Sequence, residues 1–416
     1  MGKKLSLLGI VLLVVLAVAA VGCGGPKTET SGPKTETKGT AKVEEVLIGV
    51  LYPTSGDFAR LGEAALNAVK LAAEDINAAG GIKSLGGAKV KLEIMDPGSK
   101  PETARSATES LVQKKLVSAL TGDYASTLSL VTSEVAERAQ IPFATASIAD
   151  QLTSRNFKYI FQVSPKGSMF GQQQVKFAKE VLVDKKGIPP KAAIVFENTS
   201  YGQSTSQGLK KTAEEMGFQV TLFESYEHSF SDATPLVTKI KASGARILFP
   251  VSYLQDSILL HKTIKQMGLD VLTVGGGAGY LMPDFYKALG KDAESVFSVA
   301  SWNLDVNKPG IDDVAKRYQE KYGEFLTEHS GEAYSATWVI AQAIEKAAST
   351  DPKKIRDALS GLKLAGGQKG AIMPGGDIEF DGAGWNKNVH PVMIQWQDGL
   401  PRTVYPSEDA KVKPRF

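Results

Sequence analysis

Cysteine is nearly absent from this chain of 416 residues, because Cys23 is the only one. The sequence after Cys23 therefore has no disulfide and no thiol chemistry. Histidine is scarce as well. The four histidines, His228, His261, His329 and His390, stand far apart without metal-ligand spacing, so each is predicted to be a surface or packing residue. We predict no metal site and no cofactor.

Motifs of the common enzyme classes are absent too. The sequence contains no Gly-x-Ser-x-Gly elbow, no phosphate loop that ends in Gly-Lys-Ser/Thr, and no His-Glu-x-x-His. The glycine-rich segment 275–279 lacks the last glycine of a dinucleotide fingerprint, because position 280 is Tyr. We interpret it as a loop that needs unusual dihedral angles or close approach to a ligand. No catalytic residue is predicted.

The N-terminal segment has the architecture of an export signal. Lys3 and Lys4 precede an uncharged apolar run at 5–21, and small residues follow it. The junction Ala20-Val21-Gly22-Cys23 resembles the lipobox of bacterial lipoproteins. This resemblance implies that residues 1–22 are removed as a signal peptide and that Cys23 carries lipid. The alternative is an uncleaved membrane anchor, because the run approaches the ~18 apolar residues that can span a bilayer.

Residues 23–43 are predicted to be a flexible linker. The sequence Gly-Pro-Lys-Thr-Glu-Thr occurs at 25–30 and again at 32–37. It has no large apolar side chain, so it cannot bury enough surface to offset the entropy of ordering. Residues 1–44 also contain six lysines and three glutamates, which account for the whole formal charge of +3. The remainder is close to neutral and lacks the basic excess that nucleic-acid binding requires.

Strand-like and helix-like segments alternate through the remaining sequence. Short aliphatic runs such as 46–51 predict strands that are buried on both faces, and apolar residues at helical spacing predict a helix over 61–79. Two successive series of this kind predict an α/β fold with two doubly wound parallel sheets, and the length suits two lobes. Segment 296–300 is predicted to cross between the lobes. The helices after residue 309 are predicted to return to the first lobe.

Candidate binding residues follow four predicted strands, at the carboxyl ends where open α/β sheets bind ligands. They are Tyr124, Ala125, Ser126, Ala146, Ser147 and Ile148 in the first series, and Tyr201 and Tyr253 in the second. Ser126 at a helix start can bind an anion together with free backbone N–H groups, or it can cap its own helix. The tyrosines suit a site that closes on a small molecule, or they are partly buried packing residues.

The order of several motifs along the chain resembles a known family. The motifs are Ile48-Gly49-Val50-Leu51-Tyr52-Pro53, Asp75-Ile76-Asn77-Ala78-Ala79-Gly80-Gly81, Ser200-Tyr201-Gly202, Phe380-Asp381-x-x-Gly384 and Gln395-Trp396-Gln397-Asp398-Gly399. From about residue 46 to 405, the chain resembles bacterial ABC-transporter solute-binding proteins of the leucine/isoleucine/valine-binding type.

This resemblance implies the type I periplasmic-binding fold, in which two α/β lobes are joined by a three-strand hinge and close on a solute. The implied division assigns 44–166 plus 300–388 to the first lobe and 167–299 plus 389–416 to the second.

The resemblance also implies roles for individual residues. Amino-acid binders of the family hold the ligand carboxylate with a Ser that corresponds to Ser126, contact the ammonium through a backbone at Ala146, and use aromatic walls that correspond to Tyr201 and Tyr253. The Thr that touches both ligand groups corresponds to Ile148, and the Glu that pairs with the ammonium corresponds to Gly277.

The ammonium half of the family's site therefore lacks its partners. A buried ammonium without a partner is costly, so the expected ligand is a small carboxylate- or amide-bearing solute, amino acid-like or an aromatic acid. Asp123 is a candidate to restore the missing charge, and Tyr124 can stack on a flat ligand together with the other tyrosines.

The function that we expect is capture of this solute outside the cytoplasm and its delivery to the subunits of an ABC permease. The protein would be a monomer that Cys23 anchors to the membrane. The alternative is a ligand-sensing subunit of a membrane receptor. A third class, an extracellular hydrolase, would need a nucleophile–base pair or a metal set, and the sequence shows neither.

Overall fold

The structure is a computed structural model that describes residues 43–114, 116–365, 368 and 370–416. The predicted signal peptide, Cys23 and all but the last residue of the predicted linker lie outside these residues. The described residues lie in one compact unit.

Five parallel strands form the first sheet, in the order β2-β1-β3-β4-β5. These strands are β1 Glu45–Leu51, β2 Lys89–Ile94, β3 Ala119–Gly122, β4 Phe143–Thr145 and β5 Ile160–Gln162. The helices of this series are α1 Ala59–Ala78, α2 Pro101–Lys114 and α3 Ser126–Ala139. The central strand β1 is apolar along most of its length, because Val46, Ile48 and Val50 are completely buried between helices.

Seven strands form the second sheet, in the order β14-β13-β10-β9-β8-β6-β7. They are β6 Lys191–Glu197, β7 Gln219–Tyr226, β8 Ile247–Val251, β9 Leu272–Gly275, β10 Val296–Ala300, β13 Val392–Gln397 and β14 Leu400–Tyr405. Strands β6 to β10 run parallel, and β13 and β14 are antiparallel additions at one edge. The helices of this series are α4 Gly167–Phe177, which continues as a π-helix over Ala178–Asp184, α5 Ser200–Glu215, α6 Thr234–Ser243, α7 Leu254–Gln266 and α8 Pro283–Leu289.

The later helices pack against the first sheet's helices, as the sequence predicted. They are α9 Ile311–Tyr322, α10 Glu328–Ala347 and α11 Pro352–Ser360, followed by the short strands β11 Lys363–Leu364 and β12 Ile378–Glu379. The Tyr318 hydroxyl donates to the Ala64 carbonyl at 2.9 Å, and the Ser330 hydroxyl donates to the same carbonyl at 3.0 Å. These bonds join α9 and α10 to α1.

The two sheets are linked by chain segments that run side by side. The Asn386 amide N–H donates to the Gln162 carbonyl at 2.9 Å, and the Asn386 side chain donates to the Val163 carbonyl at 3.1 Å. A third segment follows Ala300. The prediction that 296–300 itself crosses between the lobes was wrong, because these residues form β10 within the second sheet and the crossing begins at Ser301. The proposed lobe boundaries stay a prediction.

Contacts between the lobes surround the cleft. Arg60 on α1 pairs with Asp284 on α8, with 3.0 Å between the Arg60 Nε and the carboxylate, and also contacts Glu324. The Ser229 hydroxyl donates to the Asp57 carboxylate at 3.1 Å. The lobes are therefore in contact across the mouth of the cleft. Within the described residues, no helix is both long and apolar enough to cross a membrane.

Candidate binding cavity

A cavity lies between the two lobes, at the carboxyl ends of strands from both sheets. Its lining residues are Tyr124, Ala146, Ile148, Phe170, Tyr201, Tyr253, Ala278, Ser301, Glu328, His329 and Glu332. The space between them admits the centre of a water-sized sphere over about 20 Å³. That is room for about one water molecule, so a larger solute requires the lobes to separate before it enters.

Loops after the strands position the predicted aromatic residues. Tyr124 lies between β3 and α3, Tyr201 lies in the first turn of α5, and Tyr253 directly precedes α7. The Tyr124 hydroxyl donates to the Phe58 carbonyl and the Tyr201 hydroxyl to the Gly276 carbonyl, both at 2.7 Å. Since both hydroxyls have backbone partners, these two side chains present mainly their ring faces and edges to the cavity.

The rings form a continuous aromatic wall across the cleft. The centroids of Tyr124 and Tyr253 are 6.3 Å apart, and those of Tyr201 and Tyr253 are 5.0 Å apart. Phe58 at the start of α1 packs 4.9 Å from Tyr253, so a first-lobe ring contacts a second-lobe ring directly. Such a wall suits the apolar body of a small ligand.

A buried carboxylate holds the second-lobe side of this wall. Glu197 at the end of β6 accepts hydrogen bonds of 2.7 Å from the Thr199 N–H, the Thr199 hydroxyl and the Gly202 N–H. These bonds satisfy the free N–H groups at the start of α5 and fix the position of Tyr201. Burial raises the pKa of Glu197, and its hydrogen bonds oppose that shift.

Four of the predicted site residues do not line the cavity. Ala125 precedes α3, and Ser126 is completely buried, with its hydroxyl accepting from the Ala149 N–H at 3.2 Å. Ser126 is the first residue of α3 and not its N-cap, which is Ala125. Ser147 donates to the Asp123 carbonyl at 3.1 Å, so it too is engaged inside the first lobe.

Gly277 lies just behind the cavity wall, and its neighbour Ala278 lines the cavity instead. Its φ of +94° confirms the unusual backbone that the glycine run predicted. A Cβ at this position would lie 2.9 Å from the Phe170 ring. Glycine therefore allows the turn to pack closely against an aromatic lining residue.

Two buried acids line the cavity that were not predicted from the sequence. Glu328 and Glu332 lie one turn apart on α10 and are 5% and 1% exposed. The helix begins after Thr327, whose side chain accepts from the Ser330 N–H. A Cβ at Gly331 would lie 2.4 Å from the Trp302 ring. Glycine at 331 therefore lets α10 approach the crossing segment, and this approach brings both acids to Ser301.

Ser301 bridges the two acids. Its N–H donates to Glu328 Oε1 at 2.6 Å, and its hydroxyl lies 2.9 Å from the same oxygen and also contacts Glu332 Oε1. Burial and the neighbouring Glu332 raise the pKa of Glu328 to about 7, and burial raises the pKa of Glu332 to about 8. Near neutral pH the pair therefore retains protons that exposed glutamates have lost.

His329 lies beside this pair. Its ring stacks on Tyr124 with centroids 4.6 Å apart, and its Nδ1 lies 3.2 Å from Glu332 Oε2. Its Nε2 is buried without a hydrogen-bond partner. Burial lowers the pKa of His329, although the negative charge of Glu328 opposes that shift. The stacking on Tyr124 is a packing role of the kind that the sequence predicted for the histidines, but the position of His329 in the cavity lining was not predicted.

Asp123 does not supply charge to the cavity directly. It is completely buried beneath the lining residues, and its Oδ2 accepts from the Thr132 hydroxyl at 2.8 Å. Burial raises the pKa of its carboxyl to about 8. Within the part of the chain that the structure describes, no group of three or more His, Cys, Asp or Glu side chains could hold a metal ion.

Comparison with known proteins shows consistent similarity over this unit. A family model described as periplasmic binding protein matches residues 45–399. The Leu/Ile/Val-binding protein homolog 8 of Brucella abortus (strain 2308) is 32% identical over 387 residues, which is 91% of this chain and 94% of that protein.

Solved structures share the fold at lower sequence identity. The branched-chain amino acid transporter substrate-binding protein LivJ of Streptococcus pneumoniae, in complex with isoleucine, has a TM-score of 0.75 at 22% identity, covering 87% of this chain and 100% of that one. A solute-binding protein of an ABC transporter from R. palustris, in complex with benzoate, has a TM-score of 0.74 at 17% identity, covering 89% and 99%.

Proposed function

Because this chain belongs to the periplasmic binding protein family, we propose that it captures a small organic solute outside the cytoplasm and delivers it to an ABC permease. The observation that carries this proposal is the cavity between the lobes, which takes lining residues from both. A solute enclosed there contacts both lobes at once. It therefore stabilises the closed arrangement over the open one, and a permease can distinguish the two.

The proposed solute is amino acid-like or an aromatic acid, with an apolar body that fits the aromatic wall. Two proteins of the same fold are described in complex with isoleucine and with benzoate, which supports this range. An ammonium group was not expected from the sequence because Ile148 has no hydroxyl and Gly277 carries no charge. Glu328 and Glu332 line the cavity from the other lobe, so that argument loses its premise.

We propose that Ser126 supports the site indirectly. Its hydroxyl accepts from the Ala149 N–H, which fixes the loop that carries Ala146 and Ile148 into the cavity. In this role Ser126 shapes the wall on the first-lobe side and does not itself hold a ligand carboxylate.

The test is a thermal-shift measurement on residues 42–416 with isoleucine, leucine and benzoate as probes. A ligand that binds only the folded protein raises Tm with concentration. Tyr253→Ala should abolish the shift, because it removes the ring at the centre of the aromatic wall. Phe223→Ala, at a partly exposed ring on β7 (37% exposed), is the matched control and should keep it. Shifts that persist equally in both variants would place binding elsewhere and contradict the proposed cavity.

We also propose that lipid on Cys23 holds the protein at the membrane, with residues 23–43 as a spacer. Tethering raises the effective concentration of the solute-loaded protein near its permease. Mass spectrometry of the membrane-bound protein should find an N-terminal Cys23 with added lipid mass, and Cys23→Ser should remove that mass. An intact leader in the membrane-bound form would contradict the anchor while leaving the cavity untouched.

A further inference from the structure

The cavity combines several hydrogen-bond acceptors with a lack of cationic side chains. The carboxyl groups of Glu328 and Glu332 line it, and so does His329, whose Nε2 is buried without a partner and is an acceptor in the tautomer whose Nδ1–H donates to Glu332. None of the eleven lining residues is Lys or Arg. The cavity therefore offers hydrogen-bond acceptors, and the carboxyl groups of Glu328 and Glu332 give it negative charge. Both properties favour a ligand that donates hydrogen bonds and carries positive charge.

The geometry around Ser301 indicates that the two acids share a proton. The Ser301 hydroxyl has one hydrogen but contacts a carboxyl oxygen of both Glu328 and Glu332. It can donate to only one of them, so the other carboxyl must donate to the hydroxyl oxygen. Glu328 already accepts the Ser301 N–H at 2.6 Å, which favours its ionised form. The shared proton therefore belongs mainly to Glu332.

No neighbouring group neutralises the pair. His329 on the same helix is the nearest base, and burial disfavours its charged form. From other elements, Tyr52 after β1 faces Glu332 and Tyr201 on α5 faces Glu328, and neither carries positive charge. Asp123, which lies near Tyr52, adds a further acidic group. The positive charge that compensates Glu328 and Glu332 must therefore come from the ligand.

We propose that Glu328 and Glu332 form a subsite for the cationic nitrogen of the solute, and that binding there expels the shared proton. This inference rests on the proposed function, because it names the solute class of the same cavity. Before binding, one carboxylate and one carboxylic acid give the pair a charge of −1. After binding, two carboxylates and one ligand cation again give −1, and one proton leaves to solvent.

The solute class follows from the two halves of the cavity. An ammonium or amidinium nitrogen contacts Glu328, Glu332 and the free Nε2 of His329, while the apolar body packs on Tyr124, Tyr201 and Tyr253. The faces of these rings also attract a cation at close range. An α-amino acid with an apolar side chain and a simple amine of similar size both meet this description.

The first experiment compares ligands that differ only in their charged groups. Thermal shifts of residues 42–416 are measured with leucine, 3-methylbutylamine and 4-methylpentanoate, and with phenylalanine, 2-phenylethylamine and 3-phenylpropanoate. At least one amine-bearing member should raise Tm, and its amine-free acid should not. Equal or stronger stabilisation by an acid without the amine would overturn the cation subsite but not the proposed function. Stabilisation by no member would count against both.

The second experiment measures the proton. Calorimetry of the best amine-bearing probe, in two buffers of different ionisation enthalpy, should show release of about one proton within the range of about pH 7 to 8, between the pKa of Glu328 and that of Glu332. The probe's affinity should rise up to about tenfold per pH unit over that range. Glu332→Gln imitates the protonated acid, so its affinity should depend less steeply on pH than that of the unchanged protein, and it should release fewer protons, because only Glu328 still titrates.

Glu320→Gln on α9 is the matched control, because this side chain is 63% exposed and lies outside the cavity. It should behave as the unchanged protein does. Glu328→Gln provides a second test should Glu332→Gln fold poorly, and circular dichroism establishes folding of each variant. Equal proton release in Glu332→Gln and Glu320→Gln would overturn the assignment of the proton to this pair.

Discussion

Replacement of Glu332 by Gln should change how the stability of the unliganded protein depends on pH. The unfolded chain ionises this residue near its ordinary pKa of about 4.3, whereas burial raises the folded-state pKa to about 8. Between these values the folded state binds more protons than the unfolded state does. The free energy of unfolding therefore falls as the pH rises, by up to about 1.4 kcal/mol per pH unit for this group.

The whole effect has an upper limit of about 5 kcal/mol, reached above pH 8, where the folded protein must also ionise Glu332. Glu332→Gln removes this titration. It also lowers the pKa of Glu328, because the negative charge of Glu332 helps to raise that pKa. The stability of the variant, relative to that of the unchanged protein, should therefore increase from about pH 5 to about pH 8. The other titrating groups are the same in both proteins, so their contributions largely cancel in the difference.

The assay is urea unfolding of residues 42–416 from about pH 5 to 8, followed by tryptophan fluorescence. The control is Glu320→Gln, whose curve should run parallel to that of the unchanged protein. If the Glu332→Gln curve also ran parallel across this range, Glu332 would have an ordinary pKa in the folded protein. The buried shared proton would then be wrong.

Two further predictions concern residues outside the cavity. Ser126→Ala should lower the free energy of unfolding by about 1 kcal/mol in chemical denaturation, because the Ala149 N–H loses its buried acceptor, and an unchanged value would contradict this support role. Arg60→Gln should cost less than about 1 kcal/mol, since Arg60 is 31% exposed, but loss of its inter-lobe pair with Asp284 should favour the open form. Small-angle X-ray scattering of Arg60→Gln should then show a larger radius of gyration than that of Arg105→Gln. The Arg105 variant is the control because it breaks an ion pair within one lobe. Equal radii would show that Arg60 does not hold the lobes together.

The regular α/β elements could be predicted because the spacing of their apolar residues matches the faces that are buried in the fold. The predicted strand 46–51 lies within β1, and the predicted helix 61–79 differs from α1 by two residues at its start and one at its end. Elements that depend on distant partners were missed. Strand β5 has only three residues, and α8 has seven, so neither repeats a pattern often enough to stand out. Strand β14 gains its partner only through the turn from β13.

The residues of the candidate cavity also include some that the sequence predicted and some that it did not. Tyr124, Tyr201 and Tyr253 follow strand ends, so sheet geometry alone predicted that they face the cleft. Glu328 and His329 were not predicted because the cap at Thr327, after which their helix begins, was not recognised in the sequence. Two acids four residues apart in an otherwise small and apolar helix were the available signal. Their placement depends on how α10 returns to the first lobe, which no local pattern encodes.

The position of β10 inside the second sheet has a consequence for how the chain folds. One edge of β10 pairs with β9, and the other stays open until residues 392–397 arrive as β13. During synthesis or secretion, the second lobe therefore carries an unpaired apolar edge for nearly a hundred residues of chain growth. Such an edge can pair with other chains, so a product that stops before residue 392 should aggregate even though its βα series is complete.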